Sequence, residues 1–194
     1  MKRMIKMGSA LVALTMLFPA CQEKADPFSV KEYTDLVINE VSAHDDRDDV
    51  DTWVEIVNNS QQDKDLSKLG LYLTDEYFDG RQIASFEGKT LKPGERLVVA
   101  TTDEALNTGI SSAADFSLVL ALAPDNGIVD KFERADMGRL ALPGSYQRIP
   151  DLTGDWQRTP AASKGRENRV LTLENTKPNA IWLWSAHAAE WIEN

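Results

Sequence analysis

The chain is poor in the groups that most catalytic chemistry requires. Its 194 residues include one cysteine and two histidines. A single thiol has no partner for an internal disulfide, so the fold must hold without a cross-link. His44 and His187 stand far apart, in no metal-binding helix pair and in no Ser/His/Asp pattern. There is no glycine-rich phosphate loop and no dinucleotide fingerprint. No apolar run comfortably reaches the roughly 20 residues that cross a bilayer. Positive charge is also scarce, with 21 Lys+Arg against 31 Asp+Glu and a net charge of −10. Such a surface repels phosphate backbones, which excludes nucleic acid as a partner. Between residues 36 and 160 no apolar pattern sustains a helix longer than about two turns.

The N-terminus reads as an address. Lys2, Arg3 and Lys6 precede an uncharged apolar run over residues 7–18, the layout of a secretory signal. Leu17-Phe18-Pro19-Ala20-Cys21 follows, with a small residue directly before the one cysteine. This resembles the lipobox of bacterial lipoproteins, although Phe18 and Pro19 depart from the commonest pattern. The resemblance implies that the Cys21 thiol receives diacylglycerol, becomes the new N-terminus and anchors the protein to the outer membrane. The alternative is an ordinary signal peptide with a free Cys21. Loss of residues 1–20 removes three cations and leaves 18 basic against 31 acidic groups, a net of −13. Gln22-Glu23-Lys24-Ala25-Asp26 is a polar spacer that resembles, in diluted form, the surface-export tags of Bacteroidetes lipoproteins. That tilts the expectation towards the cell surface over the periplasmic face.

The mature chain reads as short strands separated by turns. Residues 36–41, 53–57, 69–74, 81–86, 96–100, 116–122 and 145–149 are the expected strands, the last closing the core. A helical turn is expected near 31–33 and another near 103–106, with Asp103 as its cap. Pro93-Gly94 suits a type II turn, because glycine takes positive φ at little cost. Asp125-Asn126-Gly127 signals a tight hairpin with Asn-Gly in the loop. Seven or more strands at 8–12-residue spacing point to an all-β sandwich or barrel.

Taken together, several motifs resemble a lamin-tail domain. They are Leu36-Val37-Ile38-Asn39-Glu40-Val41, Asp51-Thr52-Trp53-Val54-Glu55-Ile56-Val57-Asn58-Asn59-Ser60 and Asp65-Leu66-Ser67. Leu91-Lys92-Pro93-Gly94-Glu95, Asp125-Asn126-Gly127-Ile128-Val129-Asp130 and Ser145-Tyr146-Gln147-Arg148-Ile149-Pro150-Asp151 continue the series, with Gly154-Asp155-Trp156 and Thr159-Pro160 after them. The resemblance covers about residues 35–168. It implies an immunoglobulin-like β-sandwich whose bacterial members are exported, often sit beside hydrolase or nuclease domains, and carry no catalytic residues of their own. One departure is the ending Thr159-Pro160-Ala161-Ala162-Ser163, with Asn168 delayed. The chain is therefore divided into a signal peptide (1–20), a lipidated tether (21–34), a lamin-tail-like sandwich (35–168) and a C-terminal tail (169–194).

Three groups of residues are candidates for a site. Asp45, Asp46, Asp48, Asp49 and Asp51 crowd one loop, and Ca2+ takes 6–8 oxygen ligands from such loops. The EF-hand spacing is absent, so a solvated acidic loop is the simpler reading. Tyr77, Phe78 and Trp156 are aromatics assigned to loops, suited to a glycan or peptide platform or, for Trp156, to a structural plug. Trp182, Trp184 and Trp191 lie in the tail; with Ala188, the last two follow a spacing of i, i+4 and i+7, as on one helical face. That tail is expected to dock on the sandwich or to meet a partner. Glu55 lies opposite Val54 and Ile56 on its strand, with no second carboxylate fixed beside it by spacing, and reads as structural.

The expected function is a lipid-anchored, noncatalytic envelope module that binds a protein or glycan. The alternatives are a structural envelope lipoprotein whose Trp-rich tail joins a complex, and a metal-dependent hydrolase using the acidic loop. No cofactor is expected beyond a possible Ca2+.

Overall fold

The structure is a computed structural model. It describes residues 30–44, 52–76, 79–101, 110–123, 126–135, 137–141 and 143–169, together with the strand placement of 182–185 and 190–193. A 3-10 turn, Val30–Tyr33, opens the described chain where a helical turn is expected. One antiparallel sheet then gathers β1 (Leu36–Ser42), β2 (Trp53–Asn58), β7 (Arg96–Ala100), β10 (Ser145–Ile149) and β11 (Asp155–Thr159), in the order β11-β10-β1-β2-β7. A second sheet orders β5 (Arg81–Ser85), β4 (Gly70–Thr74), β8 (Ser117–Ala123) and β9 (Asn126–Glu133) as β5-β4-β8-β9. The short strands β3 (Lys64–Asp65) and β6 (Thr90–Leu91) pair with each other.

Alternation along the strands builds the core between the two sheets. Ile38, Val41, Val54 and Ile56 of the first sheet meet Leu71, Leu73, Leu118, Leu120 and Phe132 of the second in one buried cluster. Burying each such side chain contributes roughly 1.5–3 kcal/mol. At one end Phe132 lies 5.5 Å from Phe116 and 5.3 Å from Tyr146, ring centroid to centroid. Trp156 approaches Phe132 edge-on at 4.6 Å.

The sheets are also tied by charge. Asp130 of β9 accepts the Ile38 amide at 2.7 Å, and the Arg148 guanidinium donates to the Ile38 carbonyl at 2.9 Å. Arg148 pairs with Asp130 at 3.1 Å and lies 4.8 Å over the Trp156 ring. Both backbone groups of Ile38 are therefore satisfied by side chains.

The Pro93-Gly94 turn forms as expected. Glu95 donates its amide to the Lys92 carbonyl at 3.0 Å, and Gly94 sits at φ +72°. A Cβ at Gly94 would meet nothing within 4 Å. Gly94→Ala is therefore expected to cost only the left-handed backbone penalty, about 1–2 kcal/mol. A shifted urea midpoint at unchanged m-value would show it.

Three expectations are corrected. Asn126 and Gly127 are not the hairpin loop but the first residues of β9, because Ala123 already pairs with Asn126. Gly127, at φ +68°, leaves room for Leu122, whose side chain would lie 2.7 Å from an added Cβ. The strand 145–149 is not the last of the sheet: residues 155–159, including Trp156, form the edge strand β11, paired to β10 from Ser145↔Thr159 to Ile149↔Asp155. The tail is not helical at its tryptophans. β12 (Trp182–Ser185) and β13 (Glu190–Glu193) form a hairpin of their own, with Trp184 opposite Trp191 in register. The expected turn at 103–106 lies outside the described residues.

Tyr146 is fully buried, with its hydroxyl donating to the Gly138 carbonyl at 2.7 Å. Burial raises its pKa above the usual tyrosine value, against the opposing pull of Arg134. Tyr33 is raised as well, by burial first and by Glu32 and Asp65 next. A raised folded pKa means that the unfolded chain ionises first. Stability is thus full below about pH 10 and falls as pH rises through the folded values. Urea midpoints measured from pH 9 upward should decline, and less steeply in Tyr146→Phe.

Candidate functional site

The chemistry-bearing groups of this sandwich gather on the outer face of its first sheet, and a β-bulge puts them there. β1 pairs β2 as Leu36↔Asn58, Val37↔Val57 and Ile38↔Ile56, then shifts by one to Glu40↔Glu55, Val41↔Val54 and Ser42↔Trp53. Asn39 is the extra residue. In a side-chain period of two, one inserted residue reverses the face of everything after it. Without the bulge Glu40 would oppose Val54 and face the core. With it, Glu40 stands directly across from Glu55 on the outer face. Both are fully buried.

Two buried carboxylates side by side are a familiar acid–base arrangement, and like charges directly opposite one another destabilise a sheet. Their partners explain how this pair persists. Glu40 Oε1 accepts from Ser145 Oγ at 2.6 Å, Gln147 Nε2 at 2.9 Å and the Ser163 amide at 2.8 Å. Its Oε2 accepts from the Lys164 amide at 3.0 Å and contacts Ser163 Oγ at 2.6 Å. Glu55 Oε1 accepts from Asn39 Nδ2 at 3.0 Å and Arg96 Nη1 at 2.7 Å, and its Oε2 accepts from the Gly165 amide at 2.7 Å.

Three successive backbone amides, Ser163 to Gly165, therefore point at the two carboxylates. They belong to the segment 161–169, which closes over the sheet as a strap. Lys164 adopts φ +27° to aim its amide, and its ammonium lies 5.4 Å over the buried Trp53 ring. Asn168 anchors the far end, donating to the carbonyls of Asn39 at 2.9 Å and Arg148 at 3.2 Å.

Asp151 completes the cluster. It accepts from Arg96 Nη2 at 2.5 Å, Asn39 Nδ2 at 3.0 Å and the Asn168 amide at 2.9 Å. Asn39, the bulged residue, also accepts the Leu152 amide at 2.9 Å. Arg96 thus bridges two carboxylates. Burial alone would lower its pKa, but the hydrogen bonds and charges of Asp151 and Glu55 together outweigh it and raise it.

This arrangement holds structure together. Each oxygen of Glu40 and Glu55 already accepts at least one hydrogen bond. The amides aimed at them would oppose a bound cation, and a general acid or base needs a proton-carrying atom open to substrate. Among the described residues no three His, Cys, Asp or Glu side chains are grouped to hold a metal.

The sequence-derived candidates are distributed as follows. Trp156 is half-buried against Phe132 and beneath Arg148, on a strand and not in a loop. Trp182, Trp184 and Trp191 occupy the C-terminal hairpin. Cys21, the acidic run Asp45, Asp46, Asp48, Asp49 and Asp51, and the pair Tyr77 and Phe78 lie outside the described residues. His44, at the head of the acidic loop, is buried, with Nε2 3.0 Å from Ser42 Oγ. Sequence reasoning missed the partnership of Glu40 with Glu55, since spacing alone does not reveal a bulge. The polar Asn39 within a hydrophobic strand is the one signal of it.

No curated protein matches the chain in sequence. Among solved structures, the archaellum periplasmic stator protein FlaG from Sulfolobus acidocaldarius is similar over 50% of this chain and 96% of its own, at 10% identity and a TM-score of 0.33. The Lamin Tail Domain profile matches residues 29–136. That span runs from the 3-10 turn through β9 and covers more than half of the sequence, so the chain belongs to the lamin-tail domain family, with an immunoglobulin-like β-sandwich fold.

Proposed function

We propose that this protein is a noncatalytic recognition module, anchored through a lipid on Cys21 to the outer membrane, that binds an envelope protein or glycan. The observation that carries the noncatalytic part is the use of Glu40 and Glu55: their oxygens are taken up in fastening the strap to the sheet. A stiff sandwich with variable loops is suited to contact without bond breaking. The lamin-tail fold supports the same reading, and the lipobox-like segment supports the anchor.

Mass spectrometry of the protein from cell envelopes is expected to find Cys21 N-terminal and acylated. An unmodified thiol would overturn the anchor. Pull-downs from envelope extracts should lose a partner when loops 44–51 and 76–80 are replaced. Retention of every partner would remove those loops as the contact surface.

The hairpin favours a second reading, in which the tail joins a complex. Among the described residues β12 and β13 pair only with each other, and a lone two-stranded hairpin is marginal in water. Truncation at 169 would then abolish co-purification of the complex, and unchanged co-purification would count against it.

A further inference from the structure

Beside the strap lies an open cleft of about 450 Å³, lined by Gln147, Ala161, Ala162, Ser163, Arg166, Glu167 and Arg169. Most polar groups around it are already committed. The Ser163 and Lys164 amides serve Glu40, and the Ala162 amide donates to the Pro143 carbonyl at 3.0 Å. Arg169 pairs with Glu167 at 2.6 Å.

Two groups are uncommitted. Gln147 is 2% exposed, and its Nε2 is held by Glu40, Ser145 Oγ and the Ala161 carbonyl, each at 2.9 Å. Those three contacts fix the carboxamide with its Oε1 left as an acceptor without a partner among the described residues. Arg166 is exposed and forms no ion pair or hydrogen bond among the described residues. An acceptor oxygen and a guanidinium, each without a partner among the described residues, therefore line the same cleft, in a protein whose net charge is strongly negative.

We propose that this cleft binds the C-terminal end of a peptide. The terminal carboxylate would pair with the Arg166 guanidinium, whose fork suits it. The last peptide N–H would donate to Gln147 Oε1, and the last side chain, small and apolar, would rest on Ala161 and Ala162. Among the described residues no aromatic ring lines the cleft to stack on a sugar, and the chosen probe is therefore a peptide. The inference rests on the recognition reading. Because the test uses a soluble peptide, its failure is distinguishable from a failed pull-down or a missing lipid.

The full 15N-labelled chain, in detergent, would be titrated with acetylated trialanine bearing a free carboxylate. Saturable shifts are expected at the Ala161, Ala162 and Arg166 amides and at the Gln147 side-chain amide. The same peptide as its C-terminal amide, and the variant Arg166→Ala, should each weaken binding about tenfold or more, the scale of one charge-assisted contact. Ala162→Trp, at an exposed position, should fill the cleft and abolish the shifts while the rest of the spectrum is retained. The absence of saturable shifts, equal binding of acid and amide, or unchanged affinity in Arg166→Ala would overturn the proposal. Tighter binding of glucuronate at the same residues would also overturn it, by assigning the cleft to a sugar acid.

Discussion

Arg96→Ala is expected to lower the unfolding free energy by about 3–5 kcal/mol, the scale for removing one partner of a buried ion pair. Arg96 is the cation between Glu55 and Asp151, at 2.7 and 2.5 Å. The Glu55 side chain is fully buried and that of Asp151 is 12% exposed, so neither can recover its lost partner from bulk water without opening the site. Asn39 and the Gly165 and Asn168 amides remain, but they are neutral donors and offset only part of the loss. Urea unfolding measures the effect. Adding Glu55→Gln to the Arg96→Met variant should recover only part of the stability, because one of the two uncompensated carboxylates is neutralised while Asp151 keeps its charge and the new amide nitrogen faces the Asn39 or Gly165 donor. A change below about 1 kcal/mol in Arg96→Ala, the level of an exposed pair, would show that the cluster is hydrated and weakly held.

Glu40→Ala is expected to cost about 2–4 kcal/mol, through the donors it leaves behind. Ser145 Oγ and the Ser163 and Lys164 amides lose the carboxylate they donate to, and Gln147 Nε2 loses one of its three acceptors. The strap can lift to hydrate two of them, which caps the penalty but releases residues 161–169 from the sheet. Glu40→Gln should do nearly the same damage, because its amide nitrogen would face donors at one of the two oxygen positions. Thermal unfolding together with limited proteolysis after Lys164 or Arg166 would register both effects. Full stability in the glutamine variant would mean that the carboxylate charge has no part in holding the strap.

The readable and unreadable parts of this fold differ in the range of the forces involved. Val54-Glu55-Ile56 shows its two faces by alternation, and Pro93-Gly94 shows its turn by backbone preference; both signals are local. The bulge at Asn39 is not local. It is fixed by Asp151, Glu55 and the Leu152 amide, which lie far away in sequence and are invisible to strand periodicity. In the sequence the delayed Asn168 is only a departure from the family's ending. In three dimensions it reaches back over β1, because the strap must travel from Thr159 across the sheet before it can anchor.

The edge strand β11 was obscured by its composition. Asp155-Trp156-Gln157-Arg158 is polar at three of its four positions and follows a turn, so it reads as loop, yet one face needs only Trp156 to seal the end of the core. In the tail, a spacing of seven residues between Trp184 and Trp191 fits two helical turns as well as it fits a register pair in a hairpin. The alanines between them favour the helix, and cross-strand pairing overrides that preference.

The central claim is that the two facing carboxylates of β1 and β2 are spent on holding the strap to the sheet. Amide hydrogen exchange at Ser163, Lys164 and Gly165 measures this directly. The account predicts protection approaching that of the core strands, and its loss at all three amides in Glu40→Ala. Exchange at the rate of an open loop in the unmodified protein would contradict it, and would return Glu40 and Glu55 to the status of free acids facing solvent.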